Sequence, residues 1–314
     1  MNVALIGFGK AGQALFETLA VNQYTRSIHV YDPAIDFNIA PIISRNENFV
    51  FHNRAIDIDS SFDLVVVATP DHLHKEYILK AISLGISCFV EKPLITSKAD
   101  LTEVVNAIDL NPDAKITTNL ILRASPLFVE IRKMFLNGAF GSSVFIEGKY
   151  LYGRWGKLVN GWRGTADYSV ILGGLIHLVD LVCFVSNEYN YDCKIDFQRL
   201  TNKLPSDVKD FGSIVLTSPN IGVAHLSTSF STPVEHRRDL AIYGDSGWVE
   251  VRGAEVRTGG NLAGLNLENL PAKSISKGDL LSAFIYDMNN EGAVEYLYPS
   301  KNEMIQVLKL CLGF

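Results

Sequence analysis

The chain begins with a short apolar strand that runs into three glycines, and this feature constrains the fold more than any other. Residues 3–6 are all apolar and predict a buried strand. Residues 7–12, GFGKAG, fit the spacing G-x-G-x-x-G, and the apolar residues of QALFETLA after them recur at helical spacing. This order suits a phosphate group, because the loop backbone can approach it closely and N–H groups at the helix terminus point at the anion.

A second strand adds a carboxylate where a dinucleotide would need one. IHVYD, residues 28–32, is apolar and ends in Asp32, twenty residues after Gly12. A carboxylate there can accept hydrogen bonds from the hydroxyls of an adenosine ribose. Because it would repel a 2′-phosphate, and no Lys or Arg follows it directly, NAD is favoured over NADP. An ordinary strand–helix turn remains the alternative interpretation of the glycine motif.

The segments up to residue 122 alternate between strands and helices. Strands are predicted over 49–53, 63–70, 86–94 and 115–122, and helices over 72–85 and 97–110, with Ser97 as an N-cap. Alternation of this kind specifies a parallel, doubly wound sheet that binds ligands at the carboxyl ends of its strands.

After residue 122 the pattern changes to successive strands. Strands are predicted over 143–153, 212–217, 221–231, 239–244 and 248–253, and helices over 126–137, 171–186, 279–290 and from Ser300, where a capping box begins. Residues 235–239 (EHRRD) predict a polar turn, with a contact to an anionic substrate as the alternative, and residues 257–266 predict a flexible loop.

The sequence therefore predicts an α/β protein of two domains. Residues 1–122 form the dinucleotide-binding domain, and residues 123–314 form an α+β domain with an open, mostly antiparallel sheet. The last helix is expected either to stay with the second domain or to pack back on the first.

Composition limits the classes of partner. A chain of 314 residues with 47% hydrophobic and 20% charged residues is long enough for two cores and excludes a disordered protein. The net charge of −6, without a run of Lys or Arg, disfavours nucleic acid. The start lacks a basic segment followed by an apolar stretch of signal length, which predicts a cytoplasmic protein. Residues 168–185 carry His177 and Asp180 and favour a buried helix over a membrane span.

Polar residues at the strand ends are the candidates for chemistry. Lys92 lies between an apolar strand and a proline, at the edge where a cofactor would bind, and could exchange a proton with a substrate hydroxyl. His72 and His74 invite a metal interpretation, but side chains two apart on a helix diverge by about 200°. Because no third ligand has a recognised spacing, no metal site is predicted.

Six segments, taken together and in order, resemble the glucose–fructose oxidoreductase/inositol dehydrogenase family (Gfo/Idh/MocA). These are GFGKAG, Asp32, ATPDHLH, EKPL, NLILRASPLF and GGLIHLVD. The resemblance implies a Rossmann domain followed by a mostly antiparallel α/β domain. It also implies NAD(P)-dependent oxidation or reduction of a sugar, sugar derivative or cyclitol, in a homodimer or homotetramer that associates through the open sheet.

The resemblance also implies roles for particular residues. Lys92 and His177 are the expected catalytic residues, with Lys92 hydrogen-bonded to the reacting hydroxyl. The expected cofactor-binding residues are Gly7, Phe8, Gly9, Lys10, Ala11, Gly12, Asp32, Thr69, Pro70, His74, Glu91, Lys92 and Asn119. The expected substrate-binding residues are Asp180, Arg123, Trp162, Arg163, Tyr152 and Asp167.

The chain departs from the family pattern at one position that matters. The family commonly has an aspartate four residues before the histidine, where this chain has Gly173, and Leu175 stands at the place of a usual glycine. Asp167 or a tyrosine such as Tyr152 or Tyr168 could replace the carboxylate, His177 could work without a partner, or catalysis could be lost. Two hypotheses follow, an active dehydrogenase or a catalytically impaired dinucleotide-binding sensor or regulator. The presence of both Lys92 and His177 favours the enzyme.

Overall fold

The computed structural model describes residues 1–35, 48–164, 168–265, 267, 270, 276–290 and 297–314. By its internal contacts the chain divides into two compact units. The first unit comprises Met1–Ile121 and Ser276–Ile305, and the second comprises Leu122–Ile275 and Gln306–Phe314. The domain limits drawn from the sequence, 1–122 and 123–314, stay a prediction.

The first unit contains a six-stranded sheet in which all neighbours pair in parallel. Its strands are β1 (Asn2–Ile6), β2 (Ser27–Tyr31), β3 (Phe49–His52), β4 (Leu64–Val67), β5 (Ser87–Val90) and β6 (Ile116–Thr118). Their order is β3-β2-β1-β4-β5-β6, so the direction of winding reverses between β1 and β4. Doubly wound sheets bind ligands at such a reversal, beyond the carboxyl ends of the strands. The predicted doubly wound sheet is confirmed.

Seven α-helices occur in the described part of the chain. They are α1 (Lys10–Val21), α2 (His74–Ser83), α3 (Lys98–Leu110), α4 (Pro126–Leu136), α5 (Ile176–Ser186), α6 (Asp279–Asn289) and α7 (Lys301–Leu312). Two predicted caps are confirmed, because Ser97 Oγ accepts a hydrogen bond from Asp100 N at 3.1 Å, and Ser300 and Glu303 bond each other's backbone N–H groups. No helix among these residues is long and apolar enough to cross a membrane.

The second unit contains a seven-stranded sheet. Its strands are β7 (Val144–Leu151), β8 (Asp192–Gln198), β9 (Phe211–Ser218), β10 (Gly222–Ser229), β11 (Arg237–Gly244), β12 (Gly247–Arg252) and β13 (Glu255–Gly260). In the order β13-β12-β11-β7-β10-β9-β8, only β7 and β10 pair in parallel. The predicted open, mostly antiparallel sheet is confirmed.

Three details of the second sheet differ from the prediction. The expected loop over 257–266 is wrong in its first part, because β13 pairs with β12 from Glu255 to Gly260. The expected turn over 235–239 is wrong in its last part, because β11 begins at Arg237. The edge strand β8 was not predicted at all. Backbone pairing with a neighbouring strand supports these polar or glycine-rich segments, and such pairing leaves little trace in the local side-chain pattern.

Candidate functional site

The glycines of the first loop serve two different purposes. Gly7 has a φ of +94°, and a Cβ added there would lie 2.6 Å from the carbonyl oxygen of Ala68. A Cβ on Gly12 would overlap the carbonyl oxygen of Gly7, so both positions need glycine for close backbone approach. At Gly9, which directly precedes α1, nothing lies within 4 Å of an added Cβ. The loop therefore leaves open space in front of the helix terminus, as a pyrophosphate would require.

Asp32 is held beside this loop by backbone donors. Its Oδ2 accepts a hydrogen bond from Phe8 N at 2.7 Å, and its Oδ1 accepts one from Ala34 N at 2.8 Å. Each carboxylate oxygen has a second lone pair, so the oriented, partly exposed side chain can still accept hydrogen bonds from ribose hydroxyls. The glycine loop and Asp32 together fit an adenine dinucleotide.

A buried histidine joins the segments that follow β4 and β5. The His74 ring is fully buried, with Nδ1 2.8 Å from the carbonyl oxygen of Pro93 and Nε2 3.0 Å from that of Thr69. Both ring nitrogens are thus engaged within the protein, and His74 positions the segments that carry Thr69 and Lys92. A direct cofactor contact stays a prediction for the partly exposed Thr69 and Pro70.

Glu91 and Asn119 meet at the ends of β5 and β6. The Asn119 amide donates hydrogen bonds to Glu91 Oε1 at 2.9 Å and to the carbonyl oxygen of Lys277 at 3.0 Å. Lys92 follows Glu91 directly and precedes Pro93, whose carbonyl contacts His74. Both neighbours of Lys92 are therefore fixed by buried polar side chains, as a group that transfers a proton requires.

His177 lies near the start of α5 and packs against an aromatic ring. It is 5% exposed, and its ring stacks on Tyr150 with a centroid distance of 6.3 Å and an interplanar angle of 24°. A π-helical turn, Ile171–Leu175, leads directly into α5, and such turns recur at functional sites. Gly174 in this turn allows the Tyr150 ring to pack closely, since an added Cβ would lie 2.6 Å from Cε1 of that ring.

The space beside Gly173 is filled by a tyrosine. A Cβ added at Gly173 would overlap the Tyr168 hydroxyl. Of the two tyrosines that the sequence offers in place of the missing carboxylate, Tyr168 is thus the one that occupies this position. Asp167, the other nearby candidate, lies outside the described residues.

Tyr152 lies among basic side chains. Its Oη accepts a hydrogen bond from Lys157 Nζ at 2.7 Å, and Arg154 Cζ lies 5.4 Å from the ring centroid. The His236 ring is 5.0 Å from that of Tyr152 and 5.2 Å from that of Tyr150. Arg238 Cζ is 5.8 Å from the Tyr150 ring. We call these six residues, from Tyr150 to Arg238, the tyrosine–arginine cluster.

From the sequence, Tyr152 was expected in this region and Lys157 was not, while His236 and Arg238 entered only through the alternative interpretation of residues 235–239 as a contact to an anionic substrate. The signal for the last two was present, because His236 and Arg238 alternate with Arg237 and therefore share one face of an extended strand. The predicted turn over 235–239 concealed that spacing.

Trp162 and Arg163 occupy a 3₁₀ turn, Gly161–Gly164. Arg163 Cζ lies 4.1 Å from the Trp162 ring centroid and 5.3 Å from the Tyr168 ring centroid. Both residues thus share an aromatic neighbourhood with the tyrosine that fills the space beside Gly173.

Arg123 and Asp180 form a buried ion pair. Their exposed side-chain fractions are 1% and 0%, with Nη2 of the arginine 2.6 Å from Oδ1 and Nε 2.9 and 3.0 Å from the two carboxylate oxygens. Because both charges are buried, each needs the other, and removing one partner would leave an uncompensated buried charge. The pair ties the segment that carries Arg123 to α5, which carries Asp180, and a substrate contact of either residue stays a prediction.

Comparison with known proteins decides the family. Residues 1–114 match a family model described as an oxidoreductase family with an NAD-binding Rossmann fold, and residues 128–250 match the C-terminal domain of the same family. The chain belongs to the Gfo/Idh/MocA oxidoreductase family. NAD is accordingly the cofactor of the fold, and the predicted resemblance is confirmed.

Individual relatives are distant. Inositol 2-dehydrogenase 2 of Saccharopolyspora erythraea is 21% identical over 222 residues, which cover 70% of this chain and 64% of the relative, less than two thirds of its length. The structure of a levoglucosan dehydrogenase with NADH and levoglucosan has a TM-score of 0.78 at 19% identity, covering 99% of this chain and 95% of that one. A putative myo-inositol dehydrogenase from Sinorhizobium meliloti has a TM-score of 0.75 at 19% identity, with coverages of 99% and 95%. At these identities the solved structures support the fold alone.

Proposed function

We propose that this protein is an NAD-dependent dehydrogenase or reductase that acts on a hydroxyl or carbonyl group of a sugar, sugar derivative or cyclitol. The observation that carries this proposal is that both neighbours of Lys92 are fixed in place. Glu91 accepts a hydrogen bond from the Asn119 amide, and the carbonyl oxygen of Pro93 contacts the His74 ring. Those contacts lie at the carboxyl ends of the strands, on the sheet whose glycine loop fits a dinucleotide.

The proposed roles follow from the chemistry of each side chain. Lys92 takes the proton from the reacting hydroxyl during oxidation and returns it during reduction. His177 is the second proposed catalytic residue, and its ring is oriented by stacking on Tyr150. Asp32 and the glycine loop hold the cofactor, which supplies the site that accepts or gives the hydride when it is bound.

Inositol dehydrogenases and a levoglucosan dehydrogenase among the relatives support the substrate class proposed here. Gly173 is the feature that would favour a sensor without turnover. The Tyr168 hydroxyl occupies that space, so a hydrogen-bonding group stands where the family carboxylate is missing. This observation favours the enzyme over the sensor.

Replacing Lys92 by Met tests the proposal. We expect turnover to fall by at least ~10²-fold because the group that exchanges the proton is lost, while NAD affinity is retained. The measurement is the absorbance of reduced nicotinamide with a panel of sugars, cyclitols and nucleotide sugars, with NAD affinity followed by calorimetry.

The matched control is Lys115→Met, which removes an exposed ammonium from the same unit. Equal turnover in the Lys92 and Lys115 variants would exclude Lys92 from the reaction. Tight NAD binding without turnover of any compound by the unmodified protein would favour the sensor.

The face of the second sheet that carries Phe145 is the proposed surface for a homodimer or homotetramer. Phe145 is 36% exposed, stacks on Tyr243 at 6.1 Å and meets the His225 ring edge-on at 5.5 Å. An aromatic group of this kind on an open sheet is typical of a protein–protein contact.

A further inference from the structure

Four cations of the second unit gather in one region, around Tyr150 and Tyr152. Arg154, Lys157 and Arg238 belong to the tyrosine–arginine cluster, and Arg163 lies on the nearby 3₁₀ turn beside Tyr168. Arg238 on β11 stands directly opposite Tyr150 on β7, so their side chains share one face of the sheet. Among the described residues, no ion pair within 4.0 Å joins a carboxylate to any of the four.

Four of the five other cations on the strands of the same sheet are paired within their own strand, the exception being Lys194 on the edge strand β8. The pairs are Lys149–Glu147 at 2.6 Å, Arg237–Asp239 at 3.0 Å, Arg252–Glu250 at 3.4 Å and Arg257–Glu255 at 3.6 Å. Each joins residues two apart, which point to the same face of a strand. The four cations around Tyr152 therefore form a local excess of positive charge on a chain whose net charge is −6.

The titration of neighbouring groups reflects this positive field. Burial opposes ionisation of Tyr152, but the hydrogen bond from Lys157 and the charges of Lys157, Arg163 and Arg154 outweigh it and lower its pKa. Burial, followed by the charges of Arg238, Arg154 and Lys157, lowers the pKa of His236 to about 4. At neutral pH His236 is therefore uncharged, and its ring can face a ligand without adding to the positive charge.

Polar atoms in the cluster are also left without partners. Within the part of the chain that the structure describes, neither His236 Nε2 nor Arg238 Nε has a hydrogen-bond partner, although both atoms are buried. A buried donor or acceptor without a partner is costly, and a bound ligand would remove that cost. Arg154 is exposed and Lys157 and Arg238 are partly exposed, so the cluster can be reached from solvent.

We propose that the tyrosine–arginine cluster binds an anionic group of the substrate, a carboxylate or a phosphate, so that the substrate is a sugar acid or a sugar phosphate. The inference rests on the proposed function, since it names the substrate class of the same site. His177 adjoins the cluster through the Tyr150 ring, which it stacks on from α5. An anion held by Arg154, Lys157 and Arg238 would therefore place the attached sugar ring near His177.

Binding of three matched hexose derivatives tests the inference. Glucose, glucuronate and glucose 6-phosphate are titrated calorimetrically into the full chain with NADH present, at low and at high salt. We expect at least one anionic sugar to bind about tenfold or more tightly than glucose, with the advantage shrinking at high salt as exposed charges are screened. Whichever anion is preferred distinguishes a carboxylate from a phosphate site.

Arginine variants assign the effect to the cluster. Arg238→Gln and Arg154→Gln should each reduce the affinity for the preferred anionic sugar by about tenfold to a hundredfold, as expected for a lost charge-assisted hydrogen bond, and leave glucose binding unchanged. Arg238→Lys should restore part of the affinity because the charge returns. Arg237→Gln, on the same strand but the opposite face and paired with Asp239, is the matched control and should bind as the unmodified chain does.

Melting temperature and NADH affinity show that each variant is folded. Glucose binding as tightly as either anionic sugar, absence of binding by both anionic sugars, or cluster variants that behave like Arg237→Gln would each overturn the inference. The proposed function is measured separately, by turnover. Oxidation of neutral sugars alone would refute the anion site and support the proposed dehydrogenase activity. Binding of an anionic sugar without turnover of any sugar would support the anion site and refute the dehydrogenase activity.

Discussion

At the scale of single residues, two buried or half-buried histidines have opposite environments. His74 faces only carbonyl oxygens, which accept hydrogen bonds, and so it draws two strand-end segments together. Burial opposes the protonation of His236 most, and the positive charges of Arg238, Arg154 and Lys157 add to this effect and lower its pKa. The same side chain therefore positions backbone in the first unit and stays neutral among cations in the second.

The lowered pKa of His236 predicts a pH dependence of stability. In the unfolded chain the imidazole binds a proton near pH 6.5, whereas in the folded protein it does so only near pH 4. The unfolded state therefore binds more protons between these values, and the free energy of unfolding should fall as the pH is lowered from about 6.5 to about 4. Above about pH 6.5 the imidazole is neutral in both states, so its full contribution to the free energy of unfolding is present.

His236→Gln should remove that part of the pH dependence, because the amide does not titrate. Urea denaturation at a series of pH values measures it, and the unmodified protein should lose more stability than the variant across this window. His225→Gln, which changes a histidine on β10 of the same sheet, is the comparison. Parallel stability curves for the unmodified protein and the His236 variant would contradict the prediction.

At the scale of elements, the π-helical turn before α5 depends on two adjacent glycines. Gly174 accommodates the Tyr150 ring, and Gly173 accommodates the Tyr168 hydroxyl. Because neither glycine has a side chain, the turn leaves room for two aromatic side chains, one from β7 and one from the segment before the turn. Behind it, the buried ion pair of Arg123 and Asp180 supports α5.

Gly173→Ala should destabilise the protein by about 1–3 kcal/mol, because the added methyl group overlaps Tyr168 and overpacks the turn. This is opposite to the small gain that alanine brings to an unconstrained helical position. Urea denaturation provides the measurement. Gly156→Ala, where an added Cβ meets only Asn160 Nδ2 at 3.8 Å, is the control and should change stability little.

The double variant Gly173→Ala/Tyr168→Ala tests the cause. If the overlap with Tyr168 is responsible, the cost of the double variant should be smaller than the sum of the two single costs. Additive costs would show that Gly173 is required for another reason.

At the scale of the whole molecule, the open face of the second sheet predicts self-association. Light scattering should give the mass of a dimer or tetramer for the full chain at micromolar concentration. Phe145→Lys should shift the population toward monomer, because it places a charge in the aromatic group formed with Tyr243. Phe197→Lys, which changes an exposed aromatic side chain on the edge strand β8, is the control.

A monomeric mass for the unmodified chain would refute this assembly. An oligomer that is insensitive to Phe145→Lys would move the contact to another surface.

Much of the fold follows from local patterns that act over a few residues. The glycine loop, Asp32, the alternating strands and helices, and the caps at Ser97 and Ser300 could all be predicted, because each depends on neighbours along the chain. The strands β8 and β13 could not, because backbone pairing with a neighbouring strand supports them and their own residues are too polar or too rich in glycine to show a strand pattern.

At the candidate functional site, too, some features could be predicted from local patterns and others could not. Local patterns identify the groups that are available, Lys92, His177 and the cofactor loop, and they show that the family carboxylate is missing at Gly173. The folded structure was needed to show that Tyr168 fills that space, that Arg123 and Asp180 pair with each other, and that four cations gather around Tyr152 with no acidic partner among the described residues. The physical reason is that pairing, burial and close packing depend on distances between residues far apart in the chain, which no local pattern encodes.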